Sequence, residues 1–214
     1  MKIKVAAVQT KTVLGADEQK KNIESAGEYV AEAAKQGAKF VCFPETYPGP
    51  WKAPLSYSPI APLTEMARKH DVYIVAGANC PVPGNPARGY TSQVLIGPEG
   101  LIGRYNRTTP KGPWIYKGGR FWDYDYQEAD DLPVFDTPFG KVGILICSEV
   151  YSPELSRLLA LKGAEIIFHE AAFVSVPESM EKPQECFDVN VTGTSILFEA
   201  ARKANVKRIV IASS

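Results

Sequence analysis

The sequence predicts a layered α/β fold, and three observations predict it. Apolar runs such as VGILI at 142–146 have the unbroken character of buried strands. Segments of helical period alternate with these runs, and Gly-centred turns join some neighbouring strands into hairpins. The 214 residues, 45% hydrophobic and 22% charged, are enough to bury a substantial core in one domain or one and a fraction.

In chain order, KIKVAAVQT (2–10) reads as a strand. EQKKNIESAGEYVAEAAKQG (18–37) reads as a helix with Ile23, Ala26, Val30 and Ala34 on its apolar side and Gly37 at its end. AKFVCFPET (38–46) is a buried strand broken by Pro44, PLTEMARKHD (62–71) a short helix, and VYIVAGAN (72–79) a further strand. CPVPGNPARG (80–89) reads as a loop because of its Pro and Gly content. Two short strands then flank Gly97 to Gly100 within 90–105. Residues 106–133 are irregular and aromatic, and a long loop of that kind in such a scaffold is more often functional than idle. VFDTPFGKVGILIC is a hairpin turning at Gly140. A helix follows, with Leu155, Leu158, Leu159 and Leu161 largely along one face and Gly163 as its stop, and then the strand AEIIFHEAAF (164–173). VSVPESMEKPQE (174–185) has the composition of a linker, after which a helix near Thr194–Ala204 and a strand near Lys207–Ala212 close the sequence.

Composition argues against several classes of function. Basic and acidic residues number 24 each, and no run of bases marks a nucleic-acid face. The opening apolar run is too short for a secretion signal, and no stretch approaches the ~18–20 apolar residues of a membrane helix. Cys42, Cys80, Cys147 and Cys186 lie far apart, without metal-type pairing, so a reduced cytoplasm is expected.

Cys147 stands at the end of a buried strand, just before a helix. A cysteine acts as a nucleophile only as thiolate, which calls for a base or a positive environment. Of the two histidines, His70 lies at a helix end and reads as a surface residue, while His169 lies in a strand, where a satisfied histidine is the commoner case. A Cys–His pair is therefore not favoured. The other base available is Glu45, at the end of strand 40–43 as Cys147 is at the end of its own, and strand ends of this kind line ligand sites in α/β sheets. A carboxylate there can take a thiol proton and pass it to a leaving nitrogen, although a loop glutamate capping a turn is the plainer alternative.

At these residues the sequence resembles the nitrilase, or carbon-nitrogen hydrolase, superfamily. FPETYPG (43–49), RYNRTTPKGPW (104–114) and ICSEVYSPEL (146–155) are similar to its three signature regions in order and spacing, and the likeness runs over about residues 3–173. The resemblance implies a nitrilase-like α-β-β-α sandwich and a Glu-Lys-Cys constellation that hydrolyses amides, carbamoyl groups or nitriles through a cysteine thioester, without cofactor or metal. By the same resemblance Glu45 matches the base, Cys147 the nucleophile, Glu149 the acidic residue two places on, and Pro153-Glu154 the Pro-Glu that follows. A homo-oligomer and a small-molecule amide or nitrile substrate are also implied.

Two departures qualify the match. Tyr105-Asn106-Arg107 stands where the family has a pattern such as Tyr-Arg-Lys, so Arg107 occupies the lysine position with Lys111 a short turn later. Either Lys111 serves as the stand-in, which the reading slightly favours, or Arg107 replaces it poorly, or activity is weak. The family's additional glutamate finds only Glu128 between the two regions, and no role is assigned to it. The second departure is the C-terminus, where the family's domain normally continues. That implies a C-terminally incomplete sandwich, with a helix–strand tail whose residues 188–214 resemble a fragment of the extended short-chain dehydrogenase/epimerase family at Asn190, Gly193, Thr194, Glu199, Ala200, Ser213 and Ser214. No glycine-rich dinucleotide turn accompanies it. The expected organisation is thus a hydrolase-like domain over 1–173, a linker over 174–187 and the tail over 188–214. A catalytically inactive scaffold or oligomerisation module is the alternative function.

Overall fold

The computed structural model describes the chain except residues 1–2, 52–54, 109–124, 148, 150–151, 171–179, 181–182, 188–190, 193, 204–205, 207 and 212–214. Lys111, the aromatic residues of the 109–124 loop, most of the expected linker, and Asn190, Gly193, Ser213 and Ser214 of the tail lie outside the described residues. Two compact units, Met1–Asp131 and Leu132–Ser214, divide the chain.

The first unit is built on a five-stranded sheet of β1 (Lys4–Ala7), β2 (Ala38–Cys42), β3 (Tyr73–Gly77), β6 (Ser92–Gly97) and β7 (Gly100–Asn106), in that spatial order. The first three strands run parallel and the last two antiparallel, β6 and β7 joined by the hairpin expected between Gly97 and Gly100. Two helices, α1 (Glu18–Lys35) and α2 (Ile60–His70), provide the crossovers that parallel strands require. Ala26, Val30, Leu63 and Ala67 from the helices join Val41, Phe43, Ile74, Ala76, Val94 and Ile96 from the sheet region in one buried cluster. The fully buried stripe of α1 is turned slightly from the expected face. It runs through Asn22, Ala26, Val30 and Ala33, with Ile23 and Ala34 half-buried beside it. Asn22 wins its inward place because its amide exchanges two hydrogen bonds with the Val13 backbone, at 2.9 and 2.8 Å, so its burial leaves no polar group stranded.

CPVPGNPARG is a hairpin rather than a loop. β4 (Cys80–Val82) pairs antiparallel with β5 (Asn85–Tyr90), and β8 (Asp125–Tyr126) adds to the far side of β5. Pro81 is tolerated because β4 is an edge strand, and β8 reaches β5 only at Arg88 and Gly89, beyond Pro86.

The second unit has a four-stranded sheet in the order β12 (Arg208–Ile211), β11 (Ile166–Glu170), β10 (Gly140–Ile146), β9 (Val134–Thr137). β9 and β10 form the expected hairpin at Gly140, and β10, β11 and β12 run parallel. Helix α3 (Pro153–Leu161) lies between β10 and β11 in sequence, with Pro at its first turn, and Gly163 at φ +91° ends it. The Gly163 and Ala164 amides close the last turn on Ala160 and Leu159. The leucines of α3 do not share one buried face: Leu159 is buried and Leu155 half-buried, whereas Leu158 and Leu161 are exposed. At 100° per residue Leu161 falls nearly opposite the side through which Leu155, Ser156 and Leu159 pack.

Helix α4 (Pro183–Phe187) precedes the tail, whose helix α5 (Thr194–Lys203) packs against α3 and whose strand β12 continues the sheet beside β11. The register Ile166↔Arg208, Ile167↔Ile209, Phe168↔Val210 and His169↔Ile211 makes the tail part of this unit's sheet. The amides of Arg208–Ile211 that point toward β11 are therefore expected to exchange with solvent far more slowly than those of an unstructured peptide. Hydrogen exchange read by mass spectrometry checks this, and peptide-like exchange across 208–211 would contradict the pairing.

Candidate active site

Glu45 sits in a tight turn just past β2. The strand's hydrogen bonding runs on to Phe43, whose N–H donates to the Val75 carbonyl at 2.9 Å, and the chain then folds so that the Tyr47 N–H reaches the Pro44 carbonyl at 3.1 Å. Thr46, beside Glu45, has a left-handed backbone at φ +67°, which a β-branched residue adopts only when its surroundings impose it. Gly77, at the end of β3, is one such surrounding. Its N–H donates to the Tyr47 carbonyl at 2.7 Å, and a Cβ on it would run into the Thr46 backbone. Asn79 is another: its buried side chain donates toward Thr46 Oγ1 (3.4 Å) and to the Pro50 carbonyl (3.2 Å), and accepts from the Ser92 N–H (2.9 Å). Sequence reasoning passed over both residues. A glycine inside the apolar strand VYIVAGAN was the available signal for a close backbone approach.

The loop after the turn is held from α1. Glu18, buried at the start of that helix, accepts the Trp51 N–H at 2.9 Å and the Tyr57 hydroxyl at 3.0 Å. Burial and the Glu18 carboxylate push the Tyr57 phenol well above its ordinary range. Tyr47, whose hydroxyl donates to the Asn22 carbonyl at 2.8 Å, is also raised, chiefly by burial.

Arg107 stands one residue beyond β7, with its backbone fixed on both sides. Its N–H donates to the Thr91 carbonyl at 2.9 Å, and its carbonyl accepts the Ala129 N–H at 3.1 Å. The side chain, 1% exposed, turns to Glu45, and Nη1 lies 3.2 Å from Glu45 Oε1. Two residues singled out from the sequence, 62 positions apart, thus form one largely buried ion pair. A guanidinium in this place sets a positive charge beside the Glu45 carboxylate and orients it.

Cys147 lies in the second unit, directly after β10, as a half-buried thiol with φ +51°. A non-glycine residue in that conformation costs about 1–3 kcal/mol, and such strain concentrates at reactive turns, including strand-to-helix elbows that present a nucleophile. Glu149, fully buried, accepts the Ile146 N–H with Oε2 at 2.9 Å, while its carbonyl accepts the Ser152 N–H at 3.1 Å ahead of α3. His70 is half-buried at the C-terminal end of α2, His169 is in β11 in register with Leu145, and Glu128 is exposed. Among the described residues no group of three or more His, Cys, Asp or Glu is arranged to hold a metal ion, and no helix is long and apolar enough to cross a membrane.

Comparison with known proteins places the chain. The model of the family described as "Carbon-nitrogen hydrolase" matches residues 4–187. The chain belongs to the carbon-nitrogen hydrolase family. A protein named "Nitrilase" from Pyrococcus abyssi is 36% identical over 188 residues, which cover 80% of this chain and 66% of that one. Among solved structures, an amidase from Nesterenkonia sp. superposes with a TM-score of 0.71 at 18% identity, covering 98% of this chain and 78% of that one. Saccharomyces cerevisiae Nit3, of the nitrilase superfamily, superposes with a TM-score of 0.74 at 20% identity, covering 99% and 76%. These likenesses show the fold: mixed sheets with helices, in keeping with the nitrilase-like α-β-β-α class. One solved form of the Nesterenkonia amidase carries the acetamide moiety of fluoroacetamide added covalently at its active site cysteine. The chain spans 54–66% of the length of eight curated relatives that it matches.

Two measurements bear on the Glu45 turn. Gly77→Ala is expected to destabilise the protein by about 1–3 kcal/mol or more, because the new methyl meets backbone, which cannot swing aside. A melting temperature lowered by several degrees is the expected readout, and an unchanged one would show that the turn yields freely. The second concerns alkali. The unfolded chain releases phenolic protons near the ordinary value of 10, whereas folded Tyr47 and Tyr57 keep theirs to higher pH. Their contribution to stability is therefore complete below that value and is lost as pH rises above it. In a phenolate absorbance titration, Tyr47 and Tyr57 should be among the tyrosines that ionise late or only on unfolding, with Tyr73 also raised by burial. All of the tyrosines ionising together would contradict the raised values.

Proposed function

We propose that this protein hydrolyses non-peptide carbon–nitrogen bonds, in an amide, a carbamoyl group or a nitrile, through a thioester on Cys147. The observation that carries the reading is the Cys147 backbone: a non-glycine residue at φ +51° at the end of a buried strand, within the segment that the family model matches. Support for the substrate class comes from relatives named as a nitrilase and an amidase, and support for a covalent cysteine step from the adduct on the Nesterenkonia enzyme.

In this reading Glu45 takes the Cys147 thiol proton and the thiolate attacks the amide carbon. The carbon–nitrogen bond breaks as Glu45 returns the proton to the leaving nitrogen, which departs as ammonia or an amine. Water, giving a proton to Glu45, then attacks the thioester, the acid leaves, and the proton goes back to sulfur. A nitrile enters the same sequence through a thioimidate, which takes up one further water to release ammonia and leave the thioester. The balance is amide plus water to acid plus amine, and it calls for no cofactor. Arg107 or Lys111 supplies positive charge to the developing oxyanion, and Arg107 also orients the Glu45 carboxylate. A reduced cytoplasm, a small-molecule substrate and a homo-oligomeric assembly belong to the same proposal. The tail has a structural part in it, through β12, and no nucleotide role.

The test is intact-protein mass, with ammonia release, after brief exposure to a panel of amides, carbamoyl compounds and nitriles. An acyl adduct is expected on the wild-type protein and none on Cys147→Ala, with Glu45→Gln slowed by about 10²-fold or more. In the same assay Lys111→Met is expected to lose about 10²–10³-fold where Lys111 serves the oxyanion and to stay within a few-fold of wild type where Arg107 does. No adduct and no ammonia from folded protein would overturn the proposal in favour of an inactive scaffold.

A further inference from the structure

Glu149 is a fully buried carboxylate that the mechanism above leaves unused, and its geometry assigns it work. Its side chain is fully buried, and Oε2 receives the N–H of Ile146, the last residue of β10, at 2.9 Å. The bond reaches backward over three residues and encloses Cys147, whose φ is +51°. The same residue's carbonyl accepts the Ser152 N–H, and the Ser152 carbonyl accepts the Leu155 N–H at 3.0 Å, which runs the hydrogen bonding on into the first turn of α3. Strand end, strained cysteine and helix start are thus linked through one glutamate.

We infer that Glu149 is a positioning residue for Cys147, its carboxylate clamping the Ile146 N–H so that the strained turn presents the thiol in one orientation. The inference rests on the nucleophilic role proposed for Cys147 and deepens it. Left alone, a non-glycine residue in the left-handed region relaxes to a commoner conformation unless its neighbours over-determine it. The clamp supplies that restraint and also satisfies a backbone donor at the buried end of β10. The reach resembles the side-chain half of a helix capping box, in which Gln serves as well as Glu because an acceptor oxygen is all that is needed. An aspartate keeps the charge but falls short by one methylene, about 1.5 Å. Position and charge therefore predict opposite outcomes for the two conservative variants.

The experiment measures wild type, Glu149→Gln and Glu149→Asp in two ways, well below their melting temperatures. One is the alkylation rate of Cys147 by iodoacetamide, followed by peptide mass, which needs no natural substrate. The other is kcat and KM on whichever amide or nitrile the panel above identifies. Glu149→Gln is expected to stay within about 3-fold of wild type in both readouts, whereas Glu149→Asp loses about 10–10²-fold in alkylation and in kcat with little change in KM, the scale of an ångström of misplacement. Loss confined to Glu149→Gln would assign the effect to charge and overturn the inference, as would equal loss in the two variants or a Glu149→Asp protein that reacts like wild type. If Glu149→Asp fails to fold, Glu149→Gln decides alone: retained reactivity supports the clamp and lost reactivity overturns it. Absence of turnover in the wild type, with the alkylation pattern as expected, would sink the hydrolase reading and leave the positioning role standing.

Discussion

The ion pair between Arg107 and Glu45 is the interaction on which the first unit's site depends. A guanidinium that is 1% exposed has lost nearly all of its water and needs an anion in exchange, and Glu45 supplies one at 3.2 Å. Removing either partner takes an opposite charge away from the other in a largely buried place, so the two positions constrain one another. The pair also fixes local geometry. Arg107 is anchored through its backbone to Thr91 and Ala129, so its side chain sets where the Glu45 carboxylate rests. A lysine would present a compact ammonium there; the arginine presents a planar fork that can hold a carboxylate and still direct other N–H groups elsewhere.

Backbone strain marks the residues that the chemistry singles out. Three described non-glycine residues have positive φ: Thr46, Asp71 and Cys147. Asp71 caps the end of α2, an ordinary place for a left-handed residue. The other two adjoin or constitute proposed catalytic positions, each just past the end of a buried parallel strand, and each is held by neighbouring groups. Around Thr46 the restraint comes from Gly77, which has no Cβ to collide, and from the Asn79 amide. Around Cys147 it comes from the Glu149 carboxylate. Strand ends suit this arrangement because the sheet behind them is rigid while the next few residues have left the ladder, so a small number of side-chain bonds can impose an uncommon conformation.

The tail supplies a helix that packs on α3 and a strand that extends a parallel sheet beside β11. A βαβ-type unit asks only for an apolar strand and an amphipathic helix of suitable length, and the tail carries both.

The sequence by itself determined the alternation of elements, the hairpins at Gly97–Gly100 and Gly140, the helix stop at Gly163, the helix and strand of the tail, and the strand-end settings of Glu45 and Cys147. Those features depend on periodicity and turn chemistry within a few residues. It could not choose the face of α1, where two hydrogen bonds from Asn22 to Val13 outweighed the apolar pattern, nor the leucine of α3 that packs inward. It misread 80–89 as a loop because proline content counts against a strand until one knows that the strand is an edge. The meeting of Arg107 with Glu45, the collision that reserves Gly77 for glycine, and the clamp of Glu149 over a strained Cys147 were decided by tertiary structure alone. Each is a matter of distances between groups, set by how strands are ordered and how turns close, and a linear pattern of residue types does not contain those distances.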